Sequence, residues 1–304
     1  MPAPLARPIR PAALAHPVRW PSPRNAVPPL RVDILTTFPE MFGTQPGCAL
    51  ASSIPARAAQ AGAIAWHAHN IRDWSRDKHR KTDDRPFGGG PGMVMTCQPL
   101  YDAVAAVESL DPRPATRILL TPQGIPLTQQ VVEQLARRDR LLLIAGHYEG
   151  IDERVIEHLA PVEISLGDYV LSGGELGAIV LIDAVARLLP GVLGDQRSAH
   201  QDSFSVTQPF TGPTGTPRAL RVDVPEGARL LDCPHYAKPR EWMGREVPDV
   251  LLSGDHTAIE RWRLLQRLER TQARRPDLMT TPPPPVVLPP PQAQLQAPPA
   301  GPGA

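Results

Sequence analysis

The sequence predicts an α/β protein with a parallel sheet, followed by a smaller, mostly helical domain. Three observations carry that expectation. Short apolar strands alternate with helix-patterned segments between residues 116 and 189, and strands apolar on both sides belong to parallel sheets covered by helices. A polar stretch rich in Gly, Pro and Thr then runs from 191 to 228. Beyond it the main feature is one long amphipathic segment that ends near residue 275.

Val32–Phe38 is the first strand-like run and stops at Pro39; Gly62–His69 is the second. Asn70–Met93 has little periodicity and reads as a long loop, a length that in a compact domain often marks function. Pro99–Leu110 is a helix, with Leu100, Val104 and Val107 three to four residues apart. Thr116–Thr121 is a short strand that ends at Pro122-Gln-Gly124, and Thr128 caps a helix that reaches Arg138. Arg140–Ala145 is a buried strand, Ile151–Leu159 a helix, Pro161–Leu166 a strand and Gly174–Leu189 a longer helix. In the second domain Asp255 caps a helix from His256 to Arg275, with Trp262, Leu265 and Leu268 on its apolar stripe. Arg261, Arg263, Arg267, Arg270, Arg274 and Arg275 lie elsewhere on that helix and form a local basic patch.

Composition sets the limits. Of 39 prolines, nine fall in residues 1–30 and ten in 281–304. Such ends lack backbone donors and favour polyproline II, so both are expected to be exposed, disordered and dispensable for turnover. The net charge is +1; the first thirty residues hold four arginines and no acid, which leaves 28 − 31 = −3 for the rest. A nucleic-acid site must therefore be a local patch. No apolar run approaches the roughly 18 residues of a membrane span. Cys48, Cys97 and Cys233 lie far apart, which excludes a disulfide scaffold or a zinc ribbon and suits a reducing, cytoplasmic setting.

Three consecutive strands end in unusual loops: Thr121-Pro-Gln-Gly124, Gly146-His-Tyr-Glu-Gly150 and Leu166-Gly-Asp-Tyr-Val-Leu-Ser-Gly-Gly-Glu175. Ligands bind at the carboxyl ends of strands in open α/β sheets, and glycine lets backbone approach them. Three such loops in succession point to a shared small-molecule pocket. It is not a dinucleotide site, because no Gly-x-Gly-x-x-Gly follows an early strand, and Gly88–Gly92 lacks the Lys-Ser/Thr ending of a phosphate loop.

Five motifs then occur in order: Asp83-Asp-Arg-Pro-Phe-Gly-Gly-Gly-Pro-Gly-Met93, Gly146-His-Tyr-Glu-Gly-Ile-Asp-Glu-Arg154, Gly167-Asp-Tyr-Val-Leu-Ser-Gly-Gly-Glu175, Leu181-Ile-Asp-Ala-Val-Ala-Arg187 and Leu231-Asp-Cys-Pro-His-Tyr236. Together they resemble the bacterial tRNA (guanine-N1)-methyltransferase family of the SPOUT class, over about Arg31 to Leu278. The resemblance implies a trefoil knot at the C-terminal end of the sheet domain, one of the few exceptions to the no-threading rule. It implies S-adenosylmethionine as cofactor, tRNA as partner, and a homodimer with the active site at the subunit interface. The reaction it implies is methylation of N1 of guanosine at tRNA position 37. Magnesium is the one metal associated with the family, and the sequence shows no dedicated carboxylate cage for it, so no metal ligand is assigned. Taken with the composition, the expected organisation is a 1–30 tail, a 31–190 methyltransferase domain, a 191–228 linker, a 229–279 helical tRNA-binding domain and a 280–304 tail.

Residue by residue, the resemblance places the methyl donor against Leu120, Gly146, Tyr148, Glu149, Leu166, Gly167, Asp168, Tyr169, Val170 and Leu171, with Gly173 and Gly174 beside them. Asp202 is the expected general base and Arg187 the cation facing O6. Without the family motifs, Asp202 reads as a solvated linker acid and Arg187 as a helix C-terminal charge. Gly92, Ser198 and Arg267 are expected on the tRNA side. Asp168 and Glu149 serve the donor or cap helices; His79 faces RNA or solvent; Cys233 and His235 form a metal pair only superficially. Three departures stand out. His147 replaces the Arg of many members, 204–231 is longer than usual, and the chain after Leu278 abandons the family's helical end for proline. Two rival functions remain: a SPOUT methyltransferase acting on another nucleoside or on ribose, and an RNA-binding protein without catalysis.

Overall fold

Residue alternation along the strands builds the sheet. In a computed structural model that describes residues 29–45, 47–194, 202–207, 209–210, 221–225, 227–279 and 286–295, Leu30–Thr36 (β1), Ile64–Asn70 (β2), Thr116–Pro126 (β5), Arg140–Ala145 (β6) and Val162–Ser165 (β7) form one parallel sheet in the order β2-β1-β6-β5-β7. Val32, Ile34, Ile118, Leu120, Leu141 and Leu143 face one side, where Ser53–Gln60 (α1), Gln129–Leu135 (α3) and Glu175–Ala186 (α5) pack. Leu35, Leu119, Leu142 and Ile144 face the other, against Cys97–Glu108 (α2) and Glu153–Leu159 (α4). Side chains alternate across a strand, so an uninterrupted apolar strand must be covered on both faces. Asp83–Asp84 (β3), within the long 70–93 stretch, pairs with Val94–Met95 (β4) just after it in a small antiparallel ribbon.

The structure divides the chain into two units: one holds the chain up to Gly194 and again from Val287, and the other runs from Asp195 to Val286. In the second unit Glu241–Trp242 (β8) and Arg245–Glu246 (β9) form a ribbon, and His256–Arg274 (α6) is the main helix. Both expected caps are present. The Thr128 side chain accepts from Val131 N–H, and Asp255 from Ala258 N–H.

Several expectations change. The strand that begins at Thr116 does not end at Pro122: it bulges between Leu120 and Ile125, then pairs again with β7 through Ile125 and Pro126. Gly124 makes the return possible, since a Cβ there would lie 2.3 Å from the Ile164 nitrogen. The expected linker is not a bare connection. Val222, Ala228 and Leu230 share a buried cluster with Leu264, and Thr207 N–H donates to Ala228 O. The inward stripe of α6 is Leu264, Leu268 and Thr271, at helical spacing, whereas Leu265 faces solvent. The 1–28 portion of the N-terminal tail lies outside the described residues.

The proline-rich C-terminal segment is the largest surprise. Residues 286–295 lie along the first unit, with Leu288 buried and Leu295 packed against the α2 side. Leu288 N–H donates to Gln134 Oε1, and Arg138 donates to Pro289 O. Gln292 acts like an extra peptide group: its Oε1 accepts from Arg117 N–H and its Nε2 donates to Ala160 O. Its neighbour Gln294 donates to Asp111 O. Proline removes backbone donors, but carbonyls and glutamine amides remain able to bind, and buried polar groups need such partners.

That segment joins a polar network where the strands begin. Arg117 and Glu108 form a buried two-point ion pair, and Arg117 also donates to Ala293 O while Leu295 N–H donates to Glu108. Arg140, fully buried, bonds Asp33 and donates to the carbonyls of Val107, Glu108, Asp111 and Arg113. It therefore caps the C-terminal end of α2, where a cation is favoured. Burial opposes ionisation of Asp33, yet hydrogen bonds from His69 and Arg31 hold its pKa well below the usual carboxylate range.

Candidate functional site

Because β6, β5 and β7 are neighbours, the segments that follow them emerge side by side. Gly174 N–H donates to Gly146 O at 2.8 Å, and His147 and Gly173 form an antiparallel bridge. These bonds fasten the loop after β6 to the loop after β7. Leu120 and Leu166 converge from β5 and β7 over Gly177, where a Cβ would stand 3.4 Å and 3.6 Å from their Cδ1 atoms. Gly174 is sterically required: its Cβ would come within 2.8 Å of Ala145 Cα, so any side chain would push α5 off the end of β6.

The rest of this surface is open. Tyr148 sits at φ 64°, a left-handed conformation that is unusual for a tyrosine, and its ring is exposed. Asp168 is exposed, Tyr169 is 58% exposed and Val170 84%. Apolar and aromatic faces, bare backbone at Gly146 and Gly167, and the carboxylates of Glu149 and Asp168 suit a nucleoside bearing a charged amino-acid chain.

The long loop reaches the same place. Glu149 N–H donates to Met93 O and Met95 N–H to Gly150 O. Gly92, at φ 76°, lies against Glu149: a Cβ would stand 2.3 Å from its Oε1. Asp152 caps α4 just beyond, and its hydrogen bond with Arg154 holds its carboxyl well below the usual range. Gly92 is thus brought beside the loop that follows β6.

The other expected site residues fall differently. Arg187 follows α5 directly and is half-buried in the first unit. Asp202 is half-buried in the second unit, where its carbonyl accepts from Ser205 N–H; Ser198 lies outside the described residues. Arg267, expected on the tRNA side, donates from its guanidinium to Leu231 O and Thr207 Oγ1, and burial pushes its pKa down. It braces the second unit. Asp232 and His235 are paired at 2.8 Å, and burial, then Asp232, push the adjacent Cys233 thiol up, away from the thiolate that binds metals.

Reading the motifs gave no role to Thr36 or to the side chain of Glu175, and left that of His147 open. Thr36 Oγ1 donates to Glu175 Oε1 at 2.7 Å, and Glu175 Oε2 lies 3.6 Å from His147 Nδ1. A buried acid at the first position of a mostly apolar helix was the available signal.

An open parallel sheet whose neighbouring strands end in glycine-rich loops that meet at one place defines an α/β protein of the ligand-binding class. The model of the family described as tRNA (Guanine-1)-methyltransferase TrmD matches residues 30–281. Over 250 residues, 82% of this chain, the sequence is 52% identical to a tRNA (guanine-N(1)-)-methyltransferase of Chloroflexus aurantiacus, covering 88% of that protein. It is 47% identical to one of Dehalococcoides mccartyi and 49% to one of Stenotrophomonas maltophilia, in each case over 82% of this chain and 90% of the relative. The chain belongs to the tRNA (guanine-N1)-methyltransferase family.

Proposed function

We propose that the protein transfers a methyl group from S-adenosylmethionine to N1 of guanosine at position 37 of tRNA. The observation that carries this reading is the junction of the 146–150 loop with the 166–174 loop, within a chain of this family. When bound, S-adenosylmethionine supplies a methyl group already activated by its sulfonium. Leu120, Gly146, Tyr148 and Leu166–Leu171 would hold it, with Gly173 and Gly174 keeping the backbone close. A knotted path through these loops is part of the proposal.

Guanine N1 carries a proton and is not nucleophilic until that proton leaves. Asp202 acts as the general base, a role that contributes about 10²–10⁴-fold. Loss of the proton places negative charge on O6. Arg187 faces that oxygen, and a donor so placed stabilises the transition state by about 3 kcal/mol. Gly92 and Ser198 lie on the tRNA side, and no residue is assigned to magnesium.

The protein works as a homodimer in this reading. Helix α5 supports it: while Leu181, Ile182 and Val185 are buried, Leu176 and Val180 are exposed one turn apart, close in sequence to exposed Tyr169–Leu171. A helix apolar on nearly all sides needs cover beyond its own sheet. Among the described residues no helix is long and apolar enough to cross a membrane.

Labelled donor with tRNA transcripts bearing G or A at position 37 tests the reaction: incorporation only into the G transcript is expected, and equal or absent incorporation overturns the assignment. Asp202→Asn should abolish turnover while leaving donor binding intact, and mass mapping of the product separates base from ribose methylation.

A further inference from the structure

We infer that Glu175 is a positioning residue for the methyl donor, acting through His147. The inference rests on the reading of the strand-end loops as the donor site. Glu175 is the first residue of α5 and is almost completely buried. A buried carboxylate is costly unless it is partnered. One oxygen is satisfied by the Thr36 hydroxyl, which itself accepts from Phe38 N–H at 2.9 Å and so points at Glu175. The other oxygen faces His147 Nδ1 at 3.6 Å, and Nδ1 is a buried atom with no hydrogen-bond partner. A buried, unpartnered nitrogen therefore faces the second carboxylate oxygen across a gap slightly longer than a hydrogen bond. Site hydrogen bonds that are long without ligand shorten when it arrives.

The surroundings are arranged around this pair. A Cβ on Gly173 would lie 2.3 Å from both Glu175 Oε2 and His147 Nδ1, so glycine is what allows them to meet. The imidazole is held on its faces by Phe38, with ring centroids 4.9 Å apart, and by the edge-on ring of Tyr148 at 5.2 Å. Its backbone N–H reaches Met95 Sδ. With the ring fixed by Glu175, the chain on either side of it is fixed too: Gly146, whose carbonyl holds Gly174, and Tyr148 in its left-handed conformation. Thr36, Glu175 and His147 thus tie the ends of β1, β6 and α5 beneath the donor surface.

Glu175→Gln keeps the volume and the acceptor for Thr36 but removes the charge opposite His147. We expect donor affinity, measured by calorimetry with S-adenosylmethionine, to fall about tenfold, as loss of a hydrogen bond to a charged group does. The affinity for tRNA and kcat at saturating donor should stay within about twofold, a split that a general loss of folding would not produce. His147→Asn should give the same loss, and the double variant no more than either single one. Wild-type donor affinity in either single variant, or additive losses in the double, overturns the inference. If Glu175→Gln fails to fold, His147→Asn decides alone. A wild-type chain that binds no donor overturns the site reading itself, and this inference with it.

Discussion

Where β5 and β6 begin, charged side chains are buried and partnered; where they end, glycine and aromatic residues face solvent. At the first end Arg140 satisfies Asp33, two carbonyls at the end of α2 and two just beyond it, and Arg117, Glu108 and residues 287–295 complete one another's hydrogen bonds. At the second end Tyr148 and Gly167 adopt positive φ, Val170 is mostly exposed, and His147 Nδ1 lacks a partner. Both ends are rich in polar groups. The difference is that the buried charged groups of one end are met from within the chain, whereas at the other His147 Nδ1 is left without a partner beside open backbone. Stability and binding should therefore respond to different residues.

The sharpest break would come from Arg140→Met. It takes from buried Asp33 one of its three partners and from the carbonyls at the end of α2 their buried cation, so unfolding free energy in urea should drop by about 3–5 kcal/mol. A drop below about 1 kcal/mol would remove the distinction between the two ends. Truncation after Met279 comes next. It exposes the pocket of Leu288 and the partners of Gln292, and the expected cost is about 2–4 kcal/mol with kcat little changed. A chain as stable as the full-length protein would return this segment to the status of a loose tail.

Acid should act on the first end more gradually. Hydrogen bonds from His69 and Arg31 outweigh burial at Asp33, and Arg113 holds the Asp111 carboxyl down to about 2. Folded values below the ordinary carboxylate value of about 4 mean stability that is full above pH 4 and lost as the pH falls towards 2. Urea titrations between pH 6 and pH 3 measure this, and Asp33→Asn should flatten the slope. The smallest stability effect is expected from Tyr169→Ala at the open end: a change within about 0.5 kcal/mol. Its donor affinity should nevertheless fall about tenfold, since exposed aromatic surface there is kept for a ligand. A variant that loses stability but keeps donor affinity would reverse the comparison.

Local patterns in the sequence announced much of this. The strand cores, the caps at Thr128 and Asp255 and the loops after β6 and β7 follow from apolar periodicity and turn chemistry that act within a few residues. The misses share a different cause. Gln292 meets Arg117 across 175 positions, and Arg267 meets Thr207 across 60. Neither a proline-rich composition nor an arginine-rich helix shows what lies opposite in space. Leu264 rather than Leu265 became the inward residue of α6 because Val222 and Ala228, read as linker, form the opposing surface with Leu230. At the candidate site glycine spacing located the backbone. The Thr36–Glu175–His147 chain stayed hidden, because it joins three elements and only folding brings them together.

The docked 286–295 segment also changes what kind of object the second unit is. The chain leaves the first unit after Gly194 and rejoins it at Val287. The second unit is thus an insertion, moored at both of its ends, and not a pendant on a single thread. A single proteolytic cut within the excursion would leave each fragment still anchored by its own mooring, so nicked protein should co-migrate in native gels and separate only under denaturant.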